Sequence, residues 1–274
     1  MSDHLQITTA AGAFDALCGG SAGGQPVLLL HGFPQASTEW GHVVGELGRA
    51  GFHAVAPDQR GYSPGVRPEE VGDYRMDDLV ADVLAIADEL GWSRFDLVGH
   101  DWGAAVGWHT AAEHPDRIRT LTAVSAPHPA AIAAAYREDE DQHLRSQYIS
   151  VFKERSAEKR LLADNAAALR QMFEYRVPPS HIEDYVTRLS EPGAMTAALN
   201  WYRATRWNVA PEAVSVPTMY VWGTEDVAFG STAALACGKW VTGAYRFEML
   251  EDASHWIPEE APDALTALLL DHLR

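Results

Sequence analysis

The sequence predicts an α/β fold, a mostly parallel, doubly wound sheet of eight strands with an inserted helical cap. Three observations carry this. Short apolar runs ending in glycine or turn residues alternate with amphipathic stretches, the pattern of strand–helix units in a parallel sheet. Strand character stops after Ala-Pro-His-Pro at 126–129 and returns only near 216, leaving a segment rich in Ala, Leu, Arg and Glu. The chain, at 274 residues, has the length of one full domain of this class with such an insertion. The core is therefore expected over 1–128 and 211–274, and the cap over 129–210.

Taken in order, "HLQITT" and "FDALCG" form a hairpin, followed by a Gly-rich turn at 19–24. "PVLLLHG" is an unbroken apolar run, as a strand buried on both faces should be. A helix around 37–48 has Ser37 or Thr38 as candidate N-cap. "HAVAPD" is the next strand. Residues 76–90 form an amphipathic helix with Leu79, Val83, Ile86 and Leu90 on one stripe. A strand at 95–99, a helix to about 113 and the strand "IRTLTAVSA" complete the first part of the core. The cap segment is broken at Pro178-Pro179 and Pro192-Gly193. Strands "VPTMYVWG" and "YRFEMLE" and a helix from about 259 to 273 close the chain.

Composition excludes some functions. A formal charge of −17 argues against a nucleic-acid partner, which needs a basic patch. The two cysteines, Cys18 and Cys237, lie in no motif and read as packing residues of a reducing compartment. The N-terminus lacks the pattern of a signal peptide, and no apolar run approaches membrane-spanning length. The expectation is a cytoplasmic protein with no membrane partner.

The chemistry concentrates in "FDLVGHDWGAAVGWH", residues 95–109, where strand formers end in Gly-x-x-x-Gly and pass directly into a helix. This is the local pattern of a nucleophile elbow, a sharp strand-to-helix turn that exposes one side chain. The exposed residue, between Gly99 and Gly103, is Asp101 instead of the usual serine. Covalent catalysis on such a sheet needs nucleophile, acid and histidine in that chain order, each past the end of a strand. Asp226 in "GTEDVAFG" and His255 in "DASHWIPEE" meet that requirement, with Glu225 the neighbour that could be mistaken for the acid. Singly, each is an ordinary cap, turn or loop residue; the order and placement of all three make the constellation.

An oxyanion site needs two backbone N–H groups, one after the nucleophile and one from an earlier loop. "LLLHGFPQAS" supplies the second, so the donors are the amides of Trp102 and Phe33, with Pro34 a candidate cis proline. Asp58 and Arg60 in "APDQRGYSPG" read as an ion pair that pins a loop. A serine must lose its proton as it attacks, whereas an aspartate is already anionic and sits at a helix N-terminus. A carboxylate can displace a leaving group from a saturated carbon, giving an ester on its own side chain. His255, oriented by Asp226, then directs water at that ester. The implied substrate carries an electrophilic sp³ carbon, in an epoxide or a halide.

With these motifs in view, the chain resembles the epoxide hydrolase and haloalkane dehalogenase branch of the α/β-hydrolase superfamily, and is most similar to the soluble epoxide hydrolases. The resemblance covers essentially the whole chain. It rests on His31-Gly32-Phe33-Pro34, Gly99-His100-Asp101-Trp102-Gly103, Gly223-Thr224-Glu225-Asp226 and His255-Trp256. It implies an α/β-hydrolase fold and two cap tyrosines that bind and protonate the epoxide oxygen. "ALNWYRATRW" makes Tyr202 one of them; Tyr148 in "RSQYISVFKE" is the other, with Tyr136 a poorer candidate. Trp102, Phe33 and Trp201 are the implied substrate contacts.

A dehalogenase with the same Asp nucleophile is the alternative. Its second halide donor is often an asparagine where this chain has Phe33, leaving Trp201 or Trp207 as substitutes. Trp102 also departs from the arginine that follows the nucleophile in fluoroacetate dehalogenases, and no acid lies near Ser125. A binding or non-hydrolytic tailoring protein on the same fold is a further alternative, which the intact constellation opposes. No metal, nucleotide or flavin is expected, since there is no Cys/His ligand cluster and no G-x-G-x-x-G after a strand. His100 and His109 read as structural. The tryptophans of the cap and core suggest an aromatic-lined pocket for an apolar epoxide, with water as co-substrate.

Overall fold

A computed structural model describes residues 3–173, 175–205 and 209–274. Eight strands form a single sheet: β1 (Asp3–Thr9), β2 (Gly12–Gly19), β3 (Gln25–Leu30), β4 (Phe52–Pro57), β5 (Phe95–His100), β6 (Ile118–Val124), β7 (Thr218–Gly223) and β8 (Tyr245–Leu250). Their order across the sheet is β1-β2-β4-β3-β5-β6-β7-β8. β2 runs antiparallel to both its neighbours, and all pairings from β4 to β8 are parallel. In β3, Leu28 pairs with Val55 on one side and Leu97 on the other.

Alternation explains the unbroken apolar run of β3. Val27 and Leu29 face one helical layer, while Leu28 and Leu30 face the other. The first layer comprises α1 (Gly41–Arg49) and, at the chain end, α12 (Pro262–His272), through Val43, Val44, Leu47, Leu265 and Leu269. The second holds α2 (Met76–Glu89) and α3 (Trp102–Glu113), through Leu79, Val83, Ile86, Val106 and Trp108.

Between β6 and β7 lie α4 (Pro129–Glu138), α5 (Glu140–Arg145), α6 (Tyr148–Lys153), α7 (Ala157–Gln171), α8 (Pro179–Leu189) and α9 (Ala194–Ala204). Helical geometry in α7 is interrupted from Ala163 to Ala166. Phe152, Leu161, Leu199, Trp201 and Tyr202 of this segment join the core cluster on the α2–α3 side. α10 (Ser231–Ala236) and α11 (Ile257–Glu260) complete the helices. Among the described residues no helix is long and apolar enough to cross a membrane.

Local expectations fail where a tertiary partner intervenes. Neither Ser37 nor Thr38 caps α1, which follows a separate 3-10 turn at Ser37–Trp40. Instead the Ser37 N–H donates to Asp58 Oδ1 at 2.7 Å and the Thr38 hydroxyl to Asp184 Oδ2 of α8 at 2.8 Å. The closing helix starts at Pro262, not near 259, because proline fits the first turn, where no intrahelical N–H bond is needed. Asp58 and Arg60 do not pair with each other. Arg60 binds Asp82 of α2 at 2.7 Å, and Asp58 binds Arg188 of α8 at 2.9 Å. Each side chain follows the opposite charge brought nearest by packing, which adjacency in sequence does not encode.

Candidate active site

The chain winds from β3 to β4 on one side, then crosses to β5 on the other, so β3 and β5 diverge at a topological switch point. Ligands of open α/β sheets bind at that crevice. The loop after β3 and the turn after β5 meet there. Asp101 sits at φ 50, ψ −114, a conformation uncommon for a non-glycine residue. Its surroundings leave no room to relax. A Cβ added to Gly103 would lie 2.1 Å from the Leu30 carbonyl oxygen, and one added to Gly32 would lie 2.6 Å from Asp101 Cβ. Glycine is required at both positions by close approach. The Phe33–Pro34 peptide is cis.

Asp101 Oδ1 accepts the Phe33 N–H at 3.0 Å. Its Oδ2 lies 3.6 Å from His255 Nε2, within ion-pair reach but beyond a hydrogen bond. On the other side of the imidazole, Nδ1 donates to Asp226 Oδ2 at 3.0 Å. Asp226 Oδ1 accepts the amides of Ala228 and Phe229 at 2.7 and 2.9 Å, so both oxygens of that carboxylate are held. Glu225 points away, into a surface ion pair with Arg176.

Burial alone would lower the His255 pKa, but the Asp226 charge and the contact with Asp101 override it and raise it to about 10. Burial likewise opposes the Asp101 charge, yet His255 holds that carboxyl below its usual range. The free site is thus an imidazolium between two carboxylates.

A further layer fixes His255. Its carbonyl accepts the Ser125 hydroxyl at 2.8 Å and His100 Nε2 at 2.9 Å. Burial, followed by the positive charge of His255, lowers His100 to about 4, so His100 is neutral. Because a carbonyl only accepts, the His100 proton is on Nε2 and Nδ1 is an acceptor. Glu39 Oε2 lies 3.2 Å from that Nδ1. The contact is favourable when Glu39 holds a proton, in line with the rise in its pKa caused by burial and then by Asp101. Glu259, pushed up to about 8 by burial and next by Glu39, accepts from Tyr185 at 3.0 Å and from Gln35. Sequence reasoning missed Glu39, Gln35 and Glu259. Their only local signal is adjacency to the His-Gly-Phe-Pro and His-Trp motifs.

A cavity of about 510 Å³ opens over Asp101. Trp102, Phe229, Tyr148 and Tyr202 line it, with Arg137 and Lys153 among its few charged residues. Tyr202 is fixed by edge contacts to Trp102, Phe33 and Phe152, with centroids 4.9, 5.5 and 5.1 Å apart, and the Trp102 indole hydrogen-bonds to it. Tyr148 lies 6.3 Å from Tyr202, ring to ring. Burial raises the pKa of both phenols, with Asp101 among the further causes, so both keep their protons.

The other sequence candidates are placed differently. Tyr136 reaches the cavity but is 45% exposed and packs on His143 at 4.6 Å. Trp201 does not line the cavity. It is buried behind Trp102 and spends its indole N–H on the Arg60 carbonyl at 2.9 Å, because helical periodicity turns it away from its neighbour Tyr202. Phe33 likewise contributes its amide and packs against Tyr202 outside the cavity lining. Trp207 lies outside the described residues.

Comparison with known proteins extends this architecture beyond one chain. Epoxide hydrolase A of Mycobacterium tuberculosis is 32% identical, covering 93% of this chain and 92% of its own. Epoxide hydrolase 3 of Mus musculus is also 32% identical, over 90% of this chain and 70% of its own. Crystal structures of epoxide hydrolase A from Mycobacterium thermoresistibile and of the Bacillus megaterium epoxide hydrolase superpose with TM-scores of 0.88 and 0.89 at 27% and 26% identity. They cover 100% and 99% of this chain, and 98% and 99% of those structures. Residues 25–262, from the start of β3 to the start of α12, match the alpha/beta hydrolase fold family, and the chain belongs to it.

Proposed function

We propose that the chain opens an epoxide to a vicinal diol through a covalent ester on Asp101. One observation carries the reading: a carboxylate on the strained elbow shares a cavity with two phenols that stay protonated. The names of the relatives above support the same substrate class. In this reading residues 129–210 form a cap whose tyrosines receive the epoxide oxygen.

Oδ1 is tied to the Phe33 amide, which leaves Oδ2 to attack a ring carbon. The C–O bond of the epoxide breaks, and the alkoxide is stabilised and protonated on the side of Tyr148 and Tyr202. Esterification removes the Asp101 charge. The largest support for His255 apart from Asp226 is then gone, and its pKa falls. The proton count closes, since the alkoxide gains one proton and the imidazolium gives up one.

Neutral His255 now takes a proton from water as the oxygen attacks Cγ of the ester. Oδ1 becomes the oxyanion, held by the Phe33 amide that already binds it and, as the elbow pattern implies, by the amide of Trp102. Collapse releases the diol, which takes the second water proton, and restores both carboxylate and imidazolium. Ring opening therefore needs no base, and ester hydrolysis does.

Halide release is less well supported. Phe33 has no side-chain donor, Trp102 is engaged with Tyr202 and Trp201 with Arg60. In this reading the partners are an apolar epoxide and water, the reaction uses no cofactor, and the protein acts in the cytoplasm, the last resting on the sequence alone.

The test is His255→Gln with a styrene-type epoxide. Intact mass should rise by one substrate, mapped to the Asp101 peptide, while diol turnover stops. A variant left unmodified by an epoxide that the parent consumes refutes the two-step reaction. Parent protein that releases halide from bromoalkanes but forms no diol from epoxides refutes the substrate class.

A further inference from the structure

Helix α5 belongs to the cap, yet its side chains grip the loop that carries Asp226. Gln142 is fully buried. Its Nε2 donates to the Ala228 carbonyl at 2.9 Å and to Ser146 Oγ at 3.1 Å, and its Oε1 accepts the Gly230 N–H at 2.9 Å. One amide thus satisfies a carbonyl and an N–H two residues apart, as a neighbouring strand would. Three residues along, Arg145 donates from Nη1 to the carbonyl of Asp226 itself at 2.6 Å, and Asp141 holds its Nε at 2.6 Å. Other polar atoms of this loop are tied within the core. The amides of Ala228 and Phe229 bind the Asp226 carboxylate, and the Phe229 carbonyl accepts the Trp222 indole at 3.0 Å.

We propose that Gln142 and Arg145 are positioning residues for Asp226, through which the cap sets the orientation of His255 during ester hydrolysis. The inference rests on the reaction described above. Main-chain bonds from Glu225 N–H to the Ala253 carbonyl and from Asp226 N–H to the Gly223 carbonyl anchor the strand side of this loop, at 2.9 and 3.1 Å. Residues 226–230 make no ladder pairing among the described residues, so the side-chain bonds from α5 hold the opposite side of the Asp226 main chain, and with it the 3.0 Å bond to His255 Nδ1. α5 also leads through Ser146 and Gln147 directly into Tyr148. A single turn of chain therefore links a donor to the epoxide oxygen with the acid that orients the base. Ring opening uses no base and is insensitive to this clamp; hydrolysis depends on it.

Gln142→Met keeps the volume and removes both loop bonds. Ester formation and ester decay are followed separately, by rapid-quench intact-mass measurement in single turnovers. Misplacing a reacting group by ~1 Å can cost on the order of 100-fold. Decay in Gln142→Met should therefore slow by roughly 10- to 100-fold, with formation unchanged within about twofold. Arg145 is partly exposed, so Arg145→Leu and Arg145→Lys give the same reading in a variant whose folding is less at risk, with lysine expected to recover most of the decay rate. Equal slowing of both steps, or unchanged decay in folded variants, overturns the proposal while leaving the reaction intact. A parent protein that forms no ester on Asp101 overturns the reaction, and this inference with it.

Discussion

On the sheet side of the cavity, the polar side chains are positioned by hydrogen bonds. Asp101 is held by a main-chain amide, Asp226 by two, and the His255 carbonyl by Ser125 and His100. On the opposite side, built from the helices between β6 and β7, Tyr202 is positioned mainly by ring edges, from Trp102, Phe33 and Phe152. The contrast follows from what each side must do. Buried charges are stable only when hydrogen-bonded or paired, so the sheet side cannot be built from packing alone. A phenol needs only to keep its proton and its direction, and apolar packing secures both while raising its pKa.

The sharpest way to break this contrast is at the nucleophile. Asp101→Asn keeps the shape and removes the charge, and among the described residues no other side chain lining the cavity is a carboxylate. Turnover should fall by at least about 10³-fold, since the ester can no longer form, with the fold retained by circular dichroism. Fresh mutant protein with parental activity, and no deamidation by mass spectrometry, removes Asp101 from its role.

The roof should matter less per residue. In the proposed reaction Tyr148→Phe and Tyr202→Phe each delete one donor to the developing alkoxide, which typically costs about 10²- to 10³-fold. The two phenols share one task, so the double variant should lose nearly all ring opening. Parental rates of ester formation in both single variants would reassign the oxygen site.

A third measurement probes the electrostatics of the floor. His255 is raised to about 10, above the roughly 6.5 of an unfolded chain. The stability it contributes is then complete below about 6.5 and is lost as pH rises through about 10. NMR of the imidazole should find it protonated at pH 8 in the free protein. In Asp101→Asn, or after alkylation, its pKa should drop. A neutral His255 at pH 8 in the unmodified chain contradicts the charge arrangement.

The smallest effect concerns the junction between the two sides. Arg188→Ala leaves the buried Asp58 carboxylate with its Ser37 amide but without its cation. Losing such a partner costs about 1–3 kcal/mol. Urea unfolding should report that loss, with ring opening little changed.

Much was legible in the sequence because the signals are local. Apolar runs buried on both faces mark β3 and β5, and Gly99-x-x-x-Gly103 marks a turn into which no added Cβ fits. The order Asp101, Asp226, His255 placed all three past strand ends, and the parallel sheet brings those ends to one edge. The partners of Asp58 and Arg60, the inward turn of Trp201, the proton shared by Glu39 and His100, and the grip of Gln142 on Ala228 and Gly230 were not legible. Each pairs residues far apart in the chain, and which ones meet is decided by how the helices pack on the sheet. Periodicity and turn chemistry determine the elements and the sequence order of the site. Burial and the pairing of charges, which together set the protonation of Asp101, His255, His100 and the two phenols, arise only when those elements close over one another.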